Sequence, residues 1–270
     1  MMTWAAFSSE WTKLKRMTLL LSTFGGLAVA ASAFVILLFS QAPAHTVPGP
    51  HGGPGGLPSL DVLARPNGLI VGVDRAVMLL GIVAFGIAAA QTASEYSLGT
   101  LRQLLVRQPR RVRLLIGKMI AVLVFMVLAT AFASVVAFGV ANLMASSRGV
   151  STSAWYTGTG FTDLLEALGR MELAVVGYSV LGLVVGQFLR SAVASVIVGF
   201  AWMIAVENIV GRILPSASKW FPGVSLSAIA ANGNADANVS FDHGLAVAGV
   251  YVVVAIGAAA ITFSRRDVTA

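Results

Sequence analysis

Six apolar runs, each wholly or nearly free of charge, leave this chain few ways to fold. They occupy 19–39, 76–93, 119–144, 173–189, 191–210 and 244–264. A helix rising about 1.5 Å per residue needs roughly 20 such residues to cross a hydrocarbon core about 30 Å thick. In that core the backbone must satisfy its own hydrogen bonds, which selects helices. The expected fold class is all-α: a polytopic membrane protein with six transmembrane helices, forming one transmembrane domain over residues 1–270. Composition agrees, since charged residues make up 11% of the chain, against about 25% in soluble domains. A soluble enzyme, a coiled coil and a disordered chain are excluded. With no cysteine in the sequence, disulfides, thiolate metal sites and thiol nucleophiles are excluded too.

The fourth and fifth runs are separated only by Arg190. Read as one helix, their 38 residues would extend about 57 Å, too long to cross once. A tight turn near Arg190 is expected instead.

The net charge of +7 raises nucleic acid as a partner, but the basic residues sit at the ends of the apolar runs. Placing the N-terminus inside puts Lys13, Lys15, Arg16, Arg102, Arg107, Arg110, Arg111, Arg113, Lys118, Arg190, Arg265 and Arg266 on the inner side. These are twelve of the eighteen basic residues, opposed there by Glu10, Glu95 and Asp267; the outer side holds six basic and eight acidic residues. The positive-inside rule therefore predicts both termini in the cytoplasm and a multi-pass protein of the cell membrane, without nucleic acid as a partner. Lys13 to Arg16 followed by an apolar stretch and Ala31-Ser32-Ala33 resembles a cleavable signal peptide. The run continues to Phe39, longer than a typical signal core, so a retained span is expected.

Within 1–18, Trp4, Phe7, Trp11 and Leu14 recur at steps of three, four and three, with Ser9, Glu10, Lys13 and Arg16 on other faces. This spacing predicts an amphipathic helix lying at the lipid interface of the bilayer. Residues 40–66 hold six Pro and five Gly and read as a mobile external loop. His45 and His51 lie in it, far along the chain from His243, so no histidine cluster offers a metal site. The outer segments 145–172 and 211–243 are mixed. Trp220-Phe221-Pro222 in the second suits a dip into the outer membrane surface, provided that its backbone is buried against protein.

Catalytic signatures are missing. Gly117-Lys118 is followed by Met119 and completes no phosphate loop. There is no His-Glu-x-x-His, and Gly177-Tyr178-Ser179-Val180-Leu181-Gly182 has the wrong spacing for a nucleophile elbow. No cofactor is expected, and the energy for any work should come from elsewhere.

The segment after the second run reads Ser94-Glu95-Tyr96-Ser97-Leu98-Gly99-Thr100-Leu101-Arg102-Gln103-Leu104-Leu105-Val106-Arg107-Gln108-Pro109-Arg110-Arg111. Leu98, Leu101, Leu104 and Leu105 have helical spacing, Ser97 suits the start, and Pro109 marks a new helix. A short amphipathic helix lying across the cytoplasmic surface is expected. The stretch from Glu95 through Gly99-Thr100-Leu101-Arg102 to Pro109, Arg111 and Gly117-Lys118 resembles the first cytoplasmic loop of ABC exporter permeases of the ABC-2 type. Ser9-Glu10-Trp11-Thr12-Lys13-Leu14 resembles the N-terminal helix of that family. The resemblance implies two permease copies, a homodimer in the simplest case, each paired with a separate cytoplasmic ABC ATPase that binds the ATP. It also implies that the short helix is the coupling helix and that Glu95, Tyr96, Gly99, Thr100, Leu101 and Arg102 contact the ATPase. The substrates of such exporters range from drugs and peptides to lipids and polysaccharides.

Two polar residues inside runs are candidate pathway residues. Glu207 lies in the outer part of run five, where an ionisable group is costly. Its simplest reading is an interface position, solvated or paired with Arg212. Gln187 lies in run four. Gly182-x-x-x-Gly186, Ser191-x-x-x-Ser195 and Gly199 form small faces suited to close helix packing. An ion-coupled transporter or membrane-embedded enzyme would place several ionisable groups within spans, and a scaffold would need none; both stay open as alternatives.

Overall fold

A computed structural model describes residues 2–44, 58–66, 68–97, 111–233 and 239–265. Every regular element among them is helical. In chain order these are α1 (Met2–Leu14), α2 (Met17–Gln41), α3 (Gly68–Ser97), α4 (Arg111–Ser147), α5 (Gly158–Leu189), α6 (Ala192–Ile213), α7 (Pro222–Ala230) and α8 (Phe241–Arg265). All but α1 and α7 are long and apolar enough to cross a membrane. The chain is therefore an all-α, multi-pass membrane protein, and each of the six expected runs lies in its own helix.

The turn at Arg190 is present. Arg190 takes a left-handed conformation (φ 55°), and its N–H donates to the Gly186 carbonyl at 3.0 Å. Ser191 then caps α6 by accepting from the Ala194 N–H. Left-handed backbone is unusual for a side chain other than glycine, and here it reverses the chain within two residues.

α5 differs from expectation in length. It starts at Gly158, capped by the Thr157 hydroxyl accepting from the Gly160 N–H at 3.2 Å. Its first turns carry Asp163, Glu166, Arg170 and Glu172, which ended the apolar run at 173 in the sequence. Charge truncated the hydropathy signal without interrupting the helix.

α3 and α5 form the most buried pair of spans. Gly182 and Gly186, one turn apart on α5, face the α3 backbone. A Cβ on either would collide with the carbonyls of Phe85 or Ala89 respectively. That small face thus closes a contact inside the chain. Around this pair, α2 and α1 pack on α4, α6 packs on α3, and α8 packs on α5 and α7.

Two stretches assigned to outer loops are partly folded. Leu60–Leu63 forms a helical turn whose Leu63 carbonyl accepts from Trp155 Nε1 at 2.9 Å. This corrects the reading of a mobile loop for that part of 40–66; residues 45–57 lie outside the described residues. The segment after Trp220-Phe221 forms α7, with Leu226, Ile229 and Ala230 buried against α5 and α8. Its nine residues are too short to register as a span, yet their helical backbone meets the requirement for self-satisfied hydrogen bonds.

Candidate functional site

α1 is placed by a charged junction that its sequence pattern concealed. Its aromatic stripe stacks along the helix, Trp4 on Phe7 at 5.3 Å and Phe7 on Trp11 at 5.7 Å. Trp11 then meets Phe125 of α4 edge-on at 6.5 Å. Trp4 remains exposed, but Ala6, Glu10 and Leu14 are buried. Glu10, which lies off the aromatic stripe as expected, points into the protein.

Burial of that carboxylate is supported by an alternating set of charges. Lys13 Nζ donates to Glu10 Oε1 at 2.6 Å and to Glu95 Oε1 at 3.2 Å. Lys118 Nζ, at the start of α4, donates to Glu95 Oε2 at 2.7 Å. Glu10 is 4% exposed and Lys118 7%. Burial, and secondarily the charge of Glu95, raises the Glu10 pKa. Burial works against the charge on Lys13, but the hydrogen bond from Lys13 to Glu10 and the charges of Glu95 and Glu10 outweigh it and raise its pKa. Four side chains from three helices thus join α1, the end of α3 and the start of α4 at one point.

Tyr96 extends the junction. The Arg190 guanidinium lies 5.2 Å from its ring centre, a cation–π distance that ties the end of α3 to the α5–α6 turn. Of the residues expected to meet an ATPase, Glu95 and Tyr96 therefore lie at this junction. Gly99, Thr100, Leu101 and Arg102 lie outside the described residues, as does the proposed short helix itself.

Gln187 lies beside the same cluster, lining a void of about 10 Å³ with Glu10, Glu95 and Lys118, room for about one water. Its Nε2 donates to the Ala259 carbonyl at 2.7 Å and pins α5 to α8. Glu207 corrects the reading of a solvated or Arg212-paired carboxylate. It is 6% exposed and accepts from Trp202 Nε1 at 3.0 Å and from the Gly223 and Val224 N–H groups at 3.0 and 3.1 Å. These amides are the unpaired donors at the start of α7, so a side chain from α6 caps another helix. Gly223 leaves the space, since a Cβ there would strike the carboxylate. Glu207→Leu is expected to lower stability by about 1–3 kcal/mol, the cost of orphaning buried donors. Glu207→Gln should recover part of the loss in a thermal melt.

Residues 69–269 match a family described as a protein of unknown function (DUF2705). The chain belongs to that family. The DUF2705 match begins inside α3 and runs through α8, so five spans, Glu95, Lys118, Gln187 and Glu207 fall within it, while α1 and α2 precede it. A comparison with curated proteins found no match.

Sequence reasoning missed the roles of Lys118 and Glu172. Lys118 was read as an inner-side charge and as part of the Gly117-Lys118 pair, without a partner, although a lysine near the start of a membrane helix and a carboxylate near the end of the preceding one mark a pair when the two ends meet. Glu172 was placed in an outer segment because the charges N-terminal to it concealed the length of α5.

Proposed function

We propose that this chain is the transmembrane subunit of an ATP-driven ABC exporter of the ABC-2 type. Two copies would form the pathway for a lipophilic or amphipathic substrate, a drug, peptide or lipid, in the cell membrane with both termini cytoplasmic. A separate cytoplasmic ATPase would supply the energy. The orientation rests on the excess of basic residues at the inner ends of the spans.

The observation that carries this reading is the Glu10–Lys13–Glu95–Lys118 junction. It clamps the roots of the α3–α4 connection to each other and to α1, so a displacement applied to residues 98–110 would be passed to two spans as rigid levers. Coupling between sites needs such an element with discrete positions. Glu172, an ionisable group inside a span, favours an ion-coupled transporter as the second reading; dependence of transport on ATP separates the two.

The test is co-expression of the chain with a cytoplasmic ABC ATPase from the same cell, followed by transport, ATPase and co-purification assays. Gly99→Trp and Arg102→Glu are expected to insert normally, to weaken co-purification at least fivefold and to abolish stimulation of ATP hydrolysis. The chain alone should show no ATP turnover. ATP hydrolysis by the isolated chain, or wild-type assembly and transport by both variants, overturns the reading.

A further inference from the structure

α2, α3, α4 and α5 line a half-open cavity of about 450 Å³, walled by side chains such as Phe34, Leu38, Leu80, Phe138 and Leu168. That volume suits a drug-sized molecule. Among the described residues two polar side chains line it, Ser134 and Glu172, and the Ser134 hydroxyl donates to the Thr130 carbonyl at 2.9 Å. Glu172 is therefore the feature that gives the cavity chemical character.

Its surroundings leave it undersupplied. Thr130 Oγ1 lies 2.7 and 2.8 Å from the two carboxylate oxygens, and its one proton is shared with the Met126 and Val127 carbonyls at 2.9 and 3.2 Å. A hydroxyl has one proton to give, whereas a carboxylate has about four acceptor sites. Among the described residues no lysine, arginine or histidine forms an ion pair with Glu172. Arg170, two positions away, lies 3.7 Å from Glu166 and donates to the Ala230 carbonyl at 3.5 Å. Thr130 lies close to the midpoint of the Val112–Ser147 helix, which is long and apolar enough to cross a membrane, and Glu172 is its partner across the α4–α5 contact. An ionisable group held there against an open, apolar space is costly and marks a ligand or ion pathway.

We propose that this cavity is an intramembrane binding site for a lipophilic monocation, an organic ammonium or phosphonium. Its apolar body fills the cavity, and its charge pairs with Glu172. The rings of Phe34 and Phe138 in the wall supply further faces that favour a cation. Neutral apolar molecules fit the same walls but leave the carboxylate without a counter-ion. The proposal concerns binding alone, so it stands or falls separately from ATP coupling.

The test uses the purified full chain in detergent, with tetraphenylphosphonium as the cation and triphenylphosphine oxide as a neutral molecule of similar shape. Equilibrium dialysis gives both affinities. Glu172→Gln keeps the size of the side chain and an acceptor for Thr130. It is expected to raise the Kd for the cation at least tenfold and to leave the neutral molecule within twofold. Gly169→Leu projects a side chain into the space, since a Cβ at Gly169 meets nothing within 4 Å, and it should weaken both ligands at least tenfold. Melting curves check that both variants fold. Wild-type affinity for the cation in the Glu172→Gln protein overturns the proposal. So does unchanged binding in a folded Gly169→Leu protein, failure of the wild-type chain to bind the cation, or a retained lipid that the cation does not displace in native mass spectrometry.

Discussion

Gly186→Leu is expected to destroy the folded bundle, with Gly182→Leu close behind. Each places a side chain where the α3 backbone already lies, against Ala89 or Phe85. A flexible side chain could turn aside, but a carbonyl in the middle of a helix yields only if the whole helix moves. Overpacking a core usually costs about 1–3 kcal/mol, and a backbone obstruction belongs at or beyond the upper end. Helix propensity works in the opposite direction, since leucine is favoured over glycine by nearly 1 kcal/mol, so any loss reports packing. Gly139→Leu supplies the control, because a Cβ at Gly139 meets nothing within 4 Å. Fluorescence-detected size-exclusion after heating should show the control melting with the wild type and both α5 variants aggregated or absent. A Gly186→Leu protein that melts like the wild type would show that α3 and α5 do not pack as described.

The second large effect belongs to the charged junction. Lys118→Met removes the 2.7 Å partner of Glu95, a largely buried carboxylate that also accepts from Lys13 at 3.2 Å. Breaking a buried pair from one side typically costs about 3–5 kcal/mol, whereas replacing both members by apolar groups is often nearly neutral. Lys118→Met is therefore expected to melt well below wild type, and the double variant Glu95→Met with Lys118→Met should recover most of the loss. Strictly additive melting shifts across the cycle would refute the pairing. The same cluster fixes a sign for alkaline pH. The folded-state pKa of Lys13 is raised above the ordinary 10.5, so the stability it contributes is complete below about pH 10.5 and lost as pH climbs through the raised value. Among the described residues Glu10 and Glu95 pair with it, and Lys118 shares Glu95. Protease cleavage within α1 should accelerate over that interval.

These residues also mark what a single sequence permits one to read. The six spans were legible because a charge in hydrocarbon is so costly that its avoidance is written as uninterrupted apolar runs. The break at Arg190 followed from length, as 38 apolar residues cannot cross once. Loops and termini were harder. Glu166, Arg170 and Glu172 ended an apolar run but not a helix, since a helix needs only its backbone bonds and a start such as the Thr157 cap. α1 was recognised as amphipathic, yet the burial of Glu10 was not legible, because a carboxylate is polar by type and is buried only where neighbouring lysines neutralise it in the packed structure.

The sequence by itself determined that this is an all-α chain with six helices able to cross a membrane, and that the chain turns at Arg190. Only the tertiary structure decided which helices touch. Spans that are apolar on every side offer no periodic face from which a neighbour can be read. The contact between Gly186 and Ala89 depends on two helices brought together in space. So do the bonds from Lys118 to Glu95, from Glu207 to the start of α7, and from Thr130 to Glu172. Hydrophobicity is a property of each segment, whereas the meeting of a carboxylate with its donor is a property of the packed whole.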